Sequence, residues 1–172
     1  MSEATSNAPP QYAIEVEGLT KQYGSLKALD NLSFQIPEGV IAGFVGPNGS
    51  GKTTTMRILA TLLRQDSGTA KVFGYNTLST SQARKVRHSI GFMPDYFGLY
   101  SDMTAGEYLD FFAAAYRIPL SKRPGLVNDI LDIIGLEEKK ETLIAGLSRG
   151  MQQRLSLGRC LVHNPKLLLL DE

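Results

Sequence analysis

The 172-residue chain has no tryptophan, a single cysteine and only two histidines. One cysteine, Cys160, cannot close an internal disulfide, which excludes a secreted disulfide scaffold and points to a reducing compartment. No charge of one sign dominates: 18 Lys and Arg face 17 Asp and Glu, a net charge of +1. That balance argues against a nucleic-acid partner held by a basic surface. No apolar run approaches the roughly 18 residues that span a bilayer. The N-terminus has neither a basic stretch nor an apolar stretch of signal-peptide type. Residues 1–11 are polar, carry Pro9 and Pro10, and are expected to form a flexible tail. With 42% hydrophobic and 20% charged residues, the rest is ordinary for a globular domain, and disorder, collagen and coiled coil are excluded.

What is present alternates between strand and helix patterns. Ala13–Val16 and Leu32–Ile36 read as strands, and Val40–Val45 as a buried strand stopped by Gly46. Met56, Leu59, Leu62 and Leu63 recur at helical spacing, predicting a helix over Lys52–Leu63. Short strands follow at Ala70–Phe73 and Ile90–Met93. From Asp102 the pattern turns helical. Thr104-Ala105-Gly106-Glu107 fits a capping box ahead of Tyr108, Phe112 and Tyr116. A second helix carries Leu126, Ile130, Ile133 and Ile134, and a third runs from about Gly150 to Val162. Strand character returns at Lys166–Leu170. The expected organisation is an α/β core over 12–101 and 164–172, interrupted by a helical subdomain over 102–163.

Gly46-Pro47-Asn48-Gly49-Ser50-Gly51-Lys52-Thr53 matches the phosphate-loop pattern G-x-x-x-x-G-K-[ST], between an expected strand and an expected helix. Glycines let consecutive N–H groups turn toward phosphate oxygens, and the helix start adds its positive dipole end. Lys52 would reach the β- and γ-phosphates of ATP, and the Thr53 hydroxyl would ligate Mg²⁺. Leu167–Leu170 followed by Asp171 fits the second nucleotide motif, a hydrophobic strand ending in a carboxylate for Mg²⁺. Glu172 is placed to take a proton from an attacking water.

Leu147-Ser148-Arg149-Gly150-Met151-Gln152-Gln153-Arg154 resembles the signature motif of ABC-type ATPases, shortly before the second motif as in that family. The resemblance covers about Tyr12 to Glu172. It implies a P-loop NTPase core with an antiparallel β subdomain and an inserted α-helical subdomain. Tyr23 then corresponds to the adenine-stacking aromatic, and the ATP loop extends over Gly46–Thr54. Leu147, Ser148, Arg149, Gly150 and Met151 would face ATP across a homodimer or a heterodimer of ABC domains. Asp95 stands where the family usually has a Gln that reaches Mg²⁺ and the attacking water, and Arg149 and Met151 also depart from the commonest signature. Together these departures resemble the ABC-2-type exporter group. The implied function is that of an ATPase motor subunit, peripheral on the cytoplasmic face of the membrane and coupled to separate permease subunits. Phe97 and Tyr100 are candidate docking residues, whereas the stripe Tyr108, Phe112, Tyr116 reads as helix core. The alternatives are a soluble ABC ATPase without a permease, such as a ribosome-associated factor, or an inactive nucleotide-binding fragment. In the resembled fold the strand after Glu172 lies between Val40–Val45 and Leu167–Leu170. A chain ending at Glu172 is therefore expected to be a truncated cassette, with the C-terminal part of its core sheet missing. It also has no histidine beyond Asp171 to serve as the family's γ-phosphate switch; His88 and His163 read as surface residues.

Overall fold

The computed structural model describes residues 11–96 and 98–171. The chain divides into two compact units, one ending at Arg87 and the other beginning at His88.

The first unit is built on an antiparallel sheet. Strands β1 (Tyr12–Tyr23) and β2 (Leu26–Pro37) form a long hairpin, joined by β3 (Ser67–Val72) and β4 (Tyr75–Asn76) in the order β2-β1-β3-β4. Ile14 lies opposite Ile36 on one side and Val72 on the other, and Val16 opposite Phe34 and Ala70. This register places Ile14, Val16, Ala70 and Val72 in the core. Helix α1 (Lys52–Leu59) buries Thr55, Ile58 and Leu59. It stops before the expected Leu63, because Thr61 turns left-handed at φ 61° and both Leu62 and Leu63 donate to the carbonyl of Arg57. Helix α2 (Thr80–Ser89) buries only Val86, so it gives almost no apolar period to read.

One expectation is corrected. Val40–Val45 is not a buried strand: residues 40–47 have no regular structure, and Ile41 and Val45 are almost fully exposed. A strand needs a neighbour to take its N–H and C=O groups, and no described residue pairs with this run.

The second unit opens on β5 (Ile90–Met93), which pairs in parallel with β6 (Leu167–Leu170), Ile90 opposite Leu167 and Met93 opposite Leu170. Between them lie α3 (Ala105–Ala115), α4 (Arg123–Ile133) and α5 (Arg149–Leu161). Thr104 and Glu107 form the expected capping box: the Thr104 hydroxyl accepts from the Glu107 amide at 3.2 Å and the Glu107 carboxylate from the Thr104 amide at 2.8 Å. The helices enclose one core containing Tyr108, Leu109, Ile130, Leu131, Ile144 and Leu155. Arg154 reaches back from α5 and donates to the carbonyls of Ile134 and Gly135, satisfying the C-terminal end of α4. The other parallel-strand edge is unpaired among the described residues, and Leu168 and Leu170 stay partly exposed.

Candidate functional site

The first unit holds the phosphate loop between β2 and α1. Gly49 and Gly51 sit at φ 83° and 90°, conformations that cost a side-chain-bearing residue strain. A Cβ on Gly51 would also come within 2.6 Å of the Ala28 carbonyl oxygen, so the packing against β2 demands glycine there. Gly51 is the N-cap of α1 and offers no side-chain cap to the helix start. The loop closes through Ser50 N–H to the Pro47 carbonyl at 3.1 Å, and the Thr55 hydroxyl donates to the Gly51 carbonyl at 2.9 Å. Lys52 folds back across the loop, its Nζ donating to the carbonyls of Gly46 at 2.8 Å and Pro47 at 3.1 Å. Pro47, Asn48, Gly49 and Ser50 are exposed, and Thr53 and Thr54 half-buried. A curled glycine backbone, an uncapped helix start and a lysine turned inward fit a polyphosphate. Tyr23 ends β1 half exposed, with the Lys21 ammonium 5.5 Å from its ring centroid. Lys21 also pairs with Asp66 at 2.9 Å. That bond, helped by the Gln22 amide, holds the Asp66 carboxyl below its ordinary pKa.

In the second unit, β5 and β6 bring two carboxylates to one end. Asp171 follows β6 and is buried at 2% exposure, its amide donating to the Met93 carbonyl at 2.9 Å. Asp95 follows β5 by way of Pro94; it is exposed, and its carboxylate accepts from the Tyr96 amide at 2.9 Å. These hard oxygens, like the Thr53 hydroxyl, are of the kind that suits Mg²⁺. Glu172 and Phe97 lie outside the described residues.

The signature segment shows a division of labour. Leu147 and Met151 pack on the helical core, while Ser148, Arg149 and Gly150 are exposed at the start of α5. Ser148 is the N-cap, its Oγ accepting from the Met151 amide at 3.3 Å. The Gln152 side-chain amide donates to the carbonyls of Ile144 and Leu147, each at 3.2 Å, and fixes the turn ahead of the helix. Neither this role of Gln152 nor that of Arg154 is legible in the sequence. Their positions on the helix are legible, but their acceptors are carbonyls that only the folded turns present. Tyr108 is fully buried, as a core aromatic should be, whereas Tyr116 is about one-third exposed.

A phosphate-binding loop at a helix start and a hydrophobic strand ending in Asp171 define the class: a P-loop nucleotide-binding fold with an inserted helical region. Residues 29–172 match the ABC transporter family, and the chain belongs to it. It is 38% identical over 159 residues to the bacitracin transport ATP-binding protein BcrA of Bacillus licheniformis, covering 92% of this chain and 50% of that one. It is 37% identical over 166 residues to the daunorubicin/doxorubicin resistance ATP-binding protein DrrA of Streptomyces peucetius, covering 96% and 50%. Among solved structures it resembles cbiO1 from Clostridium perfringens, part of the ABC transporter complex cbiONQ. The TM-score is 0.83 at 28% identity, over 94% of this chain and 66% of that one. The chain thus spans about half the length of the curated relatives it matches.

Proposed function

We propose that residues 46–54 bind the phosphates of ATP and that the chain is the nucleotide-binding part of an ATP-hydrolysing motor subunit in an ABC exporter. The observation that carries this reading is the loop: left-handed Gly49 and Gly51 lead into an uncapped helix start, with Lys52 folded over the same loop. Lys52 exchanges the carbonyls of Gly46 and Pro47 for phosphate oxygens, a cation moving between two sets of acceptors. Thr53 of the first unit, and Asp171 and Asp95 of the second, are the residues whose oxygens would hold Mg²⁺. Mg²⁺, when bound, neutralises the charge that builds on the transferred phosphate. Glu172 takes the proton of the attacking water, and Tyr23 stacks on the adenine. Ser148 and Gly150, exposed at the start of α5, face the nucleotide of a second ABC domain in a homodimer or heterodimer.

The export role is supported by the similarity to proteins named for bacitracin transport and for daunorubicin/doxorubicin resistance. No helix among the described residues is long and apolar enough to cross a membrane. In this reading transport runs through separate permease subunits. The subunit then sits on the inner face of the membrane. The exposed aromatics Tyr96, Tyr100 and Phe111 are the surface offered to those subunits.

The test is titration of the chain with a fluorescent ATP analogue and Mg²⁺. Lys52→Ala removes the charge that pairs the phosphates and should weaken binding by about 10²-fold. Unchanged binding would overturn the loop assignment. Co-purification of the parent subunit with an integral membrane protein supports the transport reading, and comigration with ribosomes in its place counts against it.

A further inference from the structure

Both histidines of the chain meet one tyrosine ring. His163, two residues past the end of α5, stacks on Tyr116 with centroids 4.1 Å apart and planes 11° from parallel. His88, near the end of α2, meets the same ring from its edge at 6.4 Å. Tyr116 itself caps the C-terminus of α3. The Nε2 of His163 lies 2.9 Å from the carbonyl oxygen of Ile90, the first residue of β5. A carbonyl oxygen only accepts, so Nε2 carries the proton. In the neutral ring Nδ1 is then a bare lone pair, and that atom is buried without a hydrogen-bond partner among the described residues. One imidazole thus ties the ends of α3 and α5 to the start of β5, and it fits there in its neutral form. A second proton would go to Nδ1, a buried position where no acceptor faces it.

We propose that the His88–Tyr116–His163 node is a pH-operated latch, which pins β5 to the helices while His163 is neutral and opens when Nδ1 is protonated. Opening means that the ring leaves Tyr116 and turns its new N–H to water. The surroundings favour this. Lys122 ahead of α4 and Asp129 on α4 line the same groove as His88, Tyr116 and His163, while Arg159 and Cys160 of α5 bear on Tyr116. Lys122 and Arg159 outnumber the one carboxylate among the described lining residues, Asp129, which is exposed. Burial holds the His163 imidazole below its ordinary pKa; the Ile90 carbonyl opposes this shift and His88 adds to it. A histidine depressed in this way stabilises the fold above its unfolded pKa of about 6.5, and that stability drains away as the pH falls below it. The opened latch acts where the parallel pair begins, beside the bond from the Lys166 amide to the Ser89 carbonyl.

The node lies apart in sequence from the phosphate loop, and its test needs no nucleotide, so its failure leaves the ATP reading standing. Long-range ¹H–¹⁵N imidazole spectra of the chain resolve two histidines only. His163 is expected as the Nε2–H tautomer at pH 8, titrating below the ordinary histidine value, and moving toward that value in Tyr116→Leu. His163→Gln keeps a donor for Ile90 but cannot titrate. Its unfolding midpoint should stay level between pH 7.5 and 5.5 while that of the parent falls. An ordinary titration of His163 without tautomer preference, or the same pH slope in His163→Gln, overturns the latch.

Discussion

Tyr108 shows how much one atom matters. Its ring is wholly buried, packed edge-on to Phe112 at 5.0 Å and tilted to Tyr100 at 6.2 Å. Its hydroxyl is buried and, among the described residues, makes no hydrogen bond of full geometry; burial pushes its pKa up, while the charge and loose hydrogen bonding of the Arg159 guanidinium oppose the rise. A polar atom left unsatisfied inside a core costs about 1–3 kcal/mol, so removing it while keeping the ring should not hurt. Tyr108→Phe is expected to leave stability unchanged or raise it by up to about 1 kcal/mol, measured by urea unfolding. A loss above that size would mean that the hydroxyl has a partner. Cys160 is the converse case. Its thiol donates to the Ser156 carbonyl at 3.3 Å, and burial raises its pKa. It is therefore a poor nucleophile, and the lone cysteine that excluded a disulfide scaffold is a packing residue.

At the scale of elements, local signals carry the reading where they are strong and self-contained. The capping box at Thr104 and Glu107 is legible because both partners lie within four residues of each other. Thr104→Ala should destabilise the second unit by about 1 kcal/mol, seen as a lower urea midpoint with unchanged slope. Helix α5 is legible from its apolar period and its serine cap, and β5 from a strand pattern stopped by Pro94. The misses have physical causes. Helix α2 has one buried residue, Val86, so it carries no apolar stripe. The sequence 40–45 has the composition of a buried strand, but composition does not supply a ladder partner. His163 reads as a surface residue because its partners, Ile90 and Tyr116, lie far away in the chain. Within the candidate site, the loop residues 46–53 are legible as a contiguous pattern, whereas the turn that Gln152 braces is not.

For the whole molecule, exposure decides what is left for partners. The start of α5 presents Ser148, Arg149 and Gly150 to solvent, held by a hydrophobic residue on either side. The proposed role across a dimer predicts that Ser148→Ala impairs nucleotide-dependent dimerisation of the parent subunit by tenfold or more. Nucleotide binding to the monomer should be nearly unchanged. Sedimentation with and without ATP separates the two, and equal loss of both would remove Ser148 from the interface. Thr in place of Ser keeps the cap and controls for loss of the helix start.

The parallel pair of β5 and β6 also sets an order of events in folding. Ile90 and Leu167 face each other across 77 positions of chain, whereas the β1–β2 hairpin closes through Gly24 and Ser25. Joining ends that far apart costs about 2 kcal/mol more chain entropy than closing a ten-residue loop, by the logarithmic scaling of loop closure. That cost is met before the strands reward it, so three helices and their core form sooner than the pair they separate. The two carboxylates Asp95 and Asp171 are therefore brought to one end of the second unit only in its final step of assembly, after the helical core that separates them in the chain.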